Sequence, residues 1–180
     1  MTQEWNVVIS VNEGGYNAAI RLLREFGHVS RTDFFNVLVA KVDDIPHMLE
    51  ALRERSDSDH EYLSCIARLI PASMVFTFQS ADEFETQAAD AVRGFAPAIS
   101  GKSFHVRIHR RGFKGRFSSP EVERRLDAAL LEVLEREGST ATIRFDDADA
   151  IIAIETVSNR AGVSLWSRDS MERYPFIRID

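Results

Sequence analysis

The sequence predicts an α+β protein in which a ferredoxin-like module is followed by an α/β domain with a mixed sheet. Residues 1–75 show the order strand, helix, two strands, helix, strand, which is typical of ferredoxin-like modules. Residues 76–180 show helices interleaved with strands. The 44% hydrophobic and 28% charged residues are those of an ordinary globular protein. We therefore expect two domains, residues 1–75 and residues 76–180.

Each element of the first module is predicted from a local pattern of apolar residues. Alternation along Trp5–Val11 indicates a half-buried strand, and helical spacing from Ala18 onward indicates a helix that ends at Gly27. Asp43 or Asp44 is the expected cap of a second helix. The remaining predicted strands lie near His28–Ser30, over Phe34–Val42 and over Leu63–Ile70.

The helices of the second module are predicted from their start signals. Ser80 and Glu83 have the spacing of a capping box, in which each side chain accepts a hydrogen bond from a free backbone N–H. Pro97 is expected to lie beyond the end of this helix. Ser119 followed by Pro120 predicts the start of a second helix, with Ser119 as its cap.

Four strands are predicted in the second module. In the strand Lys102–His109, Phe104, Val106 and Ile108 should point to one face, and the basic and polar residues between them should point to the other. The run Ala150–Val157 is apolar enough to be buried on both faces. The two other predicted strands cover Thr140–Phe145 and Gly162–Ser167.

The distribution of charge is uneven along the chain. A net charge of −6 and a pI near 5.4 argue against a generic nucleic-acid binder, because such domains are usually basic. The segment from residue 102 to residue 125 nevertheless has a net charge of +6, with only Glu121 and Glu123 as acidic residues. Its basic residues are Lys102, Arg107, Arg110, Arg111, Lys114, Arg116, Arg124 and Arg125.

The basic residues are densest between a predicted strand and a predicted helix. Five of the ten residues from Arg107 to Arg116 are Arg or Lys, and none is acidic. Such side chains bind phosphate oxygens, and two glycines would let the backbone approach closely. The helix start at Ser118 and Ser119 adds hydroxyl groups, free N–H groups and the positive end of the helix dipole. The sequence therefore predicts a surface that binds a phosphate chain.

Two features in or near this surface have two interpretations each. Phe113 and Phe117 could stack on nucleobases, or they could anchor the loop in the core. The segment Asn159–Gly162 is a hairpin turn in one interpretation, and in the other Arg160 and Arg168 extend a basic groove.

Metal binding and familiar catalytic motifs are not expected. His105 and His109 would lie about 13 Å apart on a strand, too far to share one ion. The acidic run Asp146–Asp149 could hold a divalent cation through its carboxylates, but a turn is the favoured interpretation. The sequence has no P-loop, dinucleotide fingerprint or nucleophile elbow. We therefore expect no metal and no cofactor.

A cytoplasmic location is expected from the absence of sorting signals. The first residues do not form a secretory signal, and no apolar run approaches the roughly 20 residues that cross a bilayer. We accordingly expect no association with a membrane.

Taken together, four segments of the sequence resemble the THUMP domain. They are Phe104–Gly112, Ser118–Arg125, Ile151–Glu155 and Asn159–Gly162. The similarity covers residues 76–180, and the predicted first module matches the ferredoxin-like domain that usually precedes THUMP. The sequence is most similar to adaptor proteins that assist tRNA cytidine N4-acetylation.

The resemblance implies a tRNA-binding protein that recognises the acceptor arm and the 3′ end. Because nothing follows Asp180, a separate modification enzyme is expected, and the adaptor subgroup implies an RNA cytidine acetyltransferase. We then expect no catalytic activity in this chain. The candidate RNA-binding residues are Arg107, His109, Arg110, Arg111, Lys114, Arg116, Ser118, Ser119, Arg124, Asn159 and Arg160.

Two alternatives come from other functional classes. One is a small phosphoryl-processing enzyme, in which His105 or His109 acts as acid or base beside the arginines. The other is a protein-docking module formed by residues 1–75, with the basic segment as incidental surface charge.

Overall fold

The structure is a computed structural model that describes residues 3–180. By contacts, the chain divides into two compact units. The first contains the described residues up to Ala72 together with Asp169–Arg178, and the second contains Ser73–Arg168 and Ile179–Asp180. Residues 169–178 thus pack with the first unit, whereas the sequence places them in the second. Within the described chain no helix is long and apolar enough to cross a membrane.

The first unit is built on a four-stranded antiparallel sheet. Its strands lie in the order β2-β3-β1-β4, and two helices connect them. This confirms the ferredoxin-like prediction. The elements are β1 (Val7–Val11), α1 (Tyr16–Leu23), β2 (Gly27–Arg31), β3 (Val37–Val42), α2 (Ile45–Ser58) and β4 (Ile66–Pro71), with a final helix α6 (Arg168–Arg173) near the end of the chain.

The end of α1 differs from the prediction. The helix stops at Leu23, and Gly27 is the first residue of β2. A Cβ at this glycine would lie 1.9 Å from the carbonyl oxygen of Lys41, so the residue is needed for close contact between strands. Of the two expected caps of α2, Asp44 is the one used, and it accepts a hydrogen bond from the His47 N–H at 3.0 Å.

The second unit contains a mixed sheet, as predicted, with five strands where the sequence indicated four; the additional strand is Met74–Thr77. The strand order is β5-β9-β8-β6-β7; β6 is parallel to both of its neighbours, and the other pairs are antiparallel. The elements are β5 (Met74–Thr77), α3 (Ala81–Arg93), α4 (Ala96–Ile99), β6 (Ser103–His109), α5 (Ser119–Arg136), β7 (Thr142–Ile143), β8 (Ala150–Val157) and β9 (Arg160–Ser167).

The capping box at the start of α3 is confirmed. Ser80 Oγ accepts from the Glu83 N–H at 3.1 Å, and the Glu83 carboxylate accepts from the Gln79 N–H at 2.8 Å. Pro97 lies beyond the end of α3, as predicted, and falls inside the short helix α4. It occupies the first turn, where a proline costs no backbone hydrogen bond.

The core of the second unit lies between α3, α4, α5 and one face of the sheet. Phe104, Val106 and Ile108 are buried there, as the alternation along β6 predicts. All eight residues of β8 are buried, which confirms that this strand is covered on both faces. The strand expected over Thr140–Phe145 is shorter, because only Thr142 and Ile143 pair with β6.

Because β7 is short, α5 completes the edge of β6. The backbone N–H of Val106 donates to Asp127 Oδ1 at 2.9 Å, and that of Ile108 donates to Glu123 Oε1 at 2.8 Å. Two helix carboxylates thus replace the carbonyl groups of a missing strand, so that buried N–H groups keep their partners. These two bonds hold α5 beside β6, so the two elements that the loop connects are fixed relative to each other.

The buried carboxyl of Asp127 makes stability depend on pH. Burial raises the pKa of Asp127 from an ordinary 3.8 to about 7. Between these values the folded state holds a proton that the unfolded chain releases, so stability falls as pH rises from about 4 to about 7.

We expect Asp127→Asn to abolish this dependence, because the amide keeps an acceptor for Val106 but does not titrate. Relative to the variant, the native chain should lose up to roughly 4 kcal/mol of unfolding free energy across this range. Urea unfolding of both proteins at a series of pH values measures the difference. Parallel pH profiles would contradict the prediction.

Candidate nucleic-acid interface

Residues 110–117, called the basic loop below, connect β6 to α5. At its start, the Arg111 N–H donates to Thr156 Oγ1 at 3.0 Å, and the Arg111 carbonyl accepts from the Ser158 N–H at 2.9 Å. Gly112 follows with a φ of 100°, and a Cβ there would lie 3.1 Å from the Ser158 Cα. The loop is therefore attached to the end of β8, and glycine is needed both for the backbone conformation and for the close approach.

A buried carboxylate determines the direction of the loop. Glu155 on β8 is only 2% exposed. It accepts from Arg111 NH1 at 2.6 Å and from His109 Nδ1 at 3.1 Å. A buried carboxylate requires a cation, so Arg111 is held at this point and much of its charge is offset.

Another carboxylate holds the other polar side chains of β6. Asp180 accepts from Arg107 Nε at 2.6 Å and contacts His105 Nε2 at 3.1 Å. His105 is 1% exposed, and its second ring nitrogen lies 2.9 Å from the Arg144 carbonyl oxygen. Because this histidine is buried and His109 is paired with Glu155, the structure does not favour the phosphoryl-processing alternative.

The two phenylalanines of the basic loop are anchors. Phe113 packs against Phe78 with a centroid distance of 4.9 Å. Phe117 stacks on Phe84 at 4.7 Å with an interplanar angle of 19°. Both rings contact the hydrophobic core. Of the two interpretations left open by the sequence, the structure supports the packing role.

The loop ends at the amino end of α5, which starts one residue earlier than predicted. Ser118, not Ser119, is the cap, and its hydroxyl accepts from the Glu121 N–H at 3.5 Å. Ser119 is the first helical residue, with Pro120 in the first turn. Either serine can cap a helix, so the sequence did not distinguish between them. The 18-residue helix directs its positive dipole end toward the loop. Its first turn has few free N–H groups, because Pro120 has none and the N–H groups of Glu121 and Val122 both donate to Ser118.

Four basic side chains around the loop keep their charge available. Lys114, Arg116 and Arg124 are exposed, and Arg110 is half-buried. Within residues 3–180, none of the four forms an ion pair with a carboxylate. We call this set the cationic surface. It is the part of the predicted phosphate-binding segment that the fold leaves available to a ligand.

The candidate residues Asn159 and Arg160 lie at the turn between β8 and β9. The turn includes Ser158 with a φ of 56°, and the Asn159 carbonyl accepts from the Phe78 N–H at 2.9 Å. Arg160 is the first residue of β9. A hairpin turn is therefore present, but it consists of Ser158 and Asn159, and Arg160–Gly162 belong to β9. The close approach of Ser158 to Gly112 brings this turn beside the basic loop.

Three residues that position the loop were not predicted from the sequence: Glu155, Thr156 and Ser158. The strand that contains Glu155 and Thr156 is otherwise apolar. A charged residue in such a buried strand needs a partner of opposite charge. The presence of Glu155 in an apolar run was therefore the one feature of the sequence that could have indicated its role. The identity of the partner depends on segments more than 40 residues apart, which local patterns do not show.

The acidic run before β8 is part of the fold. Asp149 accepts from the backbone N–H and hydroxyl of Ser103 at 2.9 and 3.0 Å, and these bonds lower the pKa of its carboxyl. Arg168 forms ion pairs with both Asp147 and Asp149 at 3.1 Å. Across residues 3–180, no group of three or more His, Cys, Asp or Glu could hold a metal ion.

Comparison with known proteins finds similarity in structure but not in sequence. No protein-family model matches the chain, and no curated protein matches it. PH1313 from Pyrococcus horikoshii Ot3 is similar with a TM-score of 0.61 and 13% identity, over 91% of this chain and 55% of its own. A 4-thiouridine synthetase, solved as an RNA complex with bound ATP, is similar with a TM-score of 0.58 and 12% identity, over 91% and 42%.

A possible methylase from Clostridium difficile 630 is also similar, with a TM-score of 0.57 and 14% identity, over 89% of this chain and 40% of its own. The chain therefore spans about half the length of these proteins or less. At such low identity the likeness shows the fold. It confirms the predicted arrangement of a ferredoxin-like module followed by a THUMP-like α/β domain.

The comparisons correct one expectation from the sequence. We expected a protein without catalytic activity, yet the proteins that share its fold include a 4-thiouridine synthetase, a possible methylase and SMU.472 in complex with SAH. The prediction that set this chain apart from enzymes is therefore wrong, because the chain shares its fold with these proteins. It arose because the resemblance to adaptor proteins implied a separate modification enzyme.

The buried pair of Glu155 and Arg111 should contribute strongly to stability. Glu155→Ala would leave the Arg111 charge without its carboxylate, and we expect a loss of about 3 kcal/mol in unfolding free energy. Glu85→Ala is a matched control, because it breaks a more exposed ion pair with Arg125 and should cost less than about 1 kcal/mol. Urea unfolding followed by circular dichroism measures both. Equal losses in the two variants would disprove a special role for Glu155.

Proposed function

We propose that the chain binds tRNA and acts in tRNA modification. The observation that carries this proposal is the cationic surface at the amino end of α5, in a chain with a net charge of −6. Phosphates are the ligands that such a surface favours, because arginine and lysine bind phosphate oxygens and release counterions. The positive dipole end of α5 favours the same ligand.

The rest of the second unit favours binding at this surface. The groove on α3 offers no comparable cationic surface, because its Arg93 is paired with Asp90, and Glu85 and Asp82 also line it. Arg107 and Arg111 are paired with Asp180 and Glu155. In the proposal these two arginines and His109 hold the loop in place, while Ser118, Ser119, Asn159 and Arg160 flank the RNA.

The structural comparisons support an RNA ligand. The 4-thiouridine synthetase that shares the fold was solved in complex with RNA. The finer part of the proposal is that this chain recognises the acceptor arm and 3′ end of tRNA and presents them to a modification enzyme. An RNA cytidine acetyltransferase stays the predicted partner, on the resemblance of the residues quoted above. The docking-module alternative has no comparable support.

The four cations of the cationic surface predict how binding depends on salt. For a single strand, four phosphate contacts give a slope of about −3 in a plot of log affinity against log salt. We expect the double variant Lys114→Ala/Arg124→Ala to bind more weakly and to reduce the slope to about half. Fluorescence anisotropy with labelled tRNA at several salt concentrations measures this.

Arg125 provides the matched control for this experiment. It lies next to Arg124 on α5, but its charge is offset by Glu85. Arg125→Ala should therefore leave the salt slope unchanged. An equal effect of Arg124→Ala and Arg125→Ala would show that general charge, and not the cationic surface, governs binding.

Recognition of the 3′ end predicts a dependence on the terminal unpaired nucleotides. Their phosphates and accessible bases would be the ligand, so tRNA without them should bind about tenfold more weakly. A gel shift with intact and 3′-truncated tRNA tests this, with a blunt RNA hairpin as the control. Equal affinity for intact and truncated tRNA would exclude the 3′ end as the determinant.

A further inference from the structure

The phenylalanines behind the basic loop form one continuous cluster. Phe78 and Phe84 are fully buried and lie 5.0 Å apart between ring centroids. Phe113 packs on Phe78, and Phe117 packs on Phe84. The two loop rings are therefore held in place by the core, and their inner faces are occupied.

An arginine lies over each of the two loop rings. The guanidinium carbon of Arg116 is 5.4 Å from the centroid of Phe113, and that of Arg110 is 5.7 Å from the centroid of Phe117. Arg110 also donates from NH1 to the Gly112 carbonyl oxygen at 2.6 Å. A guanidinium is planar, so contact between one of its faces and a ring leaves the opposite face for another planar group.

We propose that Arg110 and Arg116 form a nucleobase-binding subsite, in which each guanidinium stacks on an unpaired base of the RNA. This inference rests on the proposed function and adds to it the part of the RNA that these residues recognise. Unpaired bases stack on arginine planes as they do on aromatic rings. The phenylalanines contribute indirectly, because they hold the arginines that the bases contact.

The arrangement fits base stacking better than phosphate binding alone. A phosphate requires charge, and Lys114 in the same loop supplies it without a contact to any ring among residues 3–180. Arg110 and Arg116, in contrast, combine charge with a planar group, and each lies over a phenylalanine of the loop. Replacement by lysine separates the two properties, because lysine keeps the charge and lacks the plane.

The experiment compares the native chain with the double variant Arg110→Lys/Arg116→Lys. The probe is an RNA hairpin with a short single-stranded 3′ extension, together with the same RNA carrying abasic nucleotides in the extension. We expect the double variant to bind the intact probe at least tenfold more weakly at an unchanged salt slope. Both proteins should bind the abasic probe equally. Arg125→Lys, which changes an exposed arginine that is paired with Glu85 and lies outside both the cationic surface and the aromatic cluster, is the control and should bind like the native chain.

The outcomes separate this subsite from the proposed function. If the native chain binds the intact probe no more tightly than the abasic one, or if the double lysine variant retains full affinity, the stacking subsite is refuted while RNA binding stands. If the native chain binds neither the probe nor tRNA, the proposed function fails and the subsite with it. Thermal unfolding of each variant verifies that weaker binding does not come from loss of the fold.

Discussion

The candidate site depends on one buried charge, the carboxylate of Glu155. A carboxylate in a strand buried on both faces is stable only with a cation and further hydrogen bonds, and Arg111 and His109 provide them. Arg111 is the second residue of the basic loop. Because Arg111 must stay beside Glu155, the start of the basic loop is held at the end of β6, and the rest of the loop continues from this position.

The other end of the loop is fixed by a different use of carboxylates. Asp127 and Glu123 accept hydrogen bonds from β6 where the sheet has no further strand, and this holds α5 beside β6. The loop spans two elements that are already in place, and Phe113 and Phe117 attach its middle to the core. A loop held at three points can present its cations in a defined arrangement at low entropic cost.

Pairing with carboxylates divides the basic residues into two groups. Arg107, Arg111 and Arg125 are paired and contribute to the fold. Lys114 and Arg116 protrude from the loop without such a partner among residues 3–180. In a chain of net negative charge, this division concentrates the positive potential at one place. It reconciles an acidic protein with a polyanionic ligand, since the local field and not the net charge governs contact.

The sequence by itself determined the features that depend on neighbouring residues. Alternation along β6 predicted its buried face, Ser80 and Glu83 predicted the capped start of α3, and the apolar run of β8 predicted its burial. The order of elements also predicted both modules, because connection rules leave few topologies for such an order. The density of Arg and Lys indicated where a phosphate chain would bind.

Only the tertiary structure decided which of these cations face a ligand. The partner of Arg111 is Glu155, 44 residues further along the chain, and the ring that stacks on Phe117 is that of Phe84 in α3. Local periodicity carries no information on such pairs, because they arise when distant segments pack together. For the same reason, the sequence left the role of the phenylalanines open. It also did not show that an arginine lies over each phenylalanine of the loop, because this depends on how the loop packs on the core.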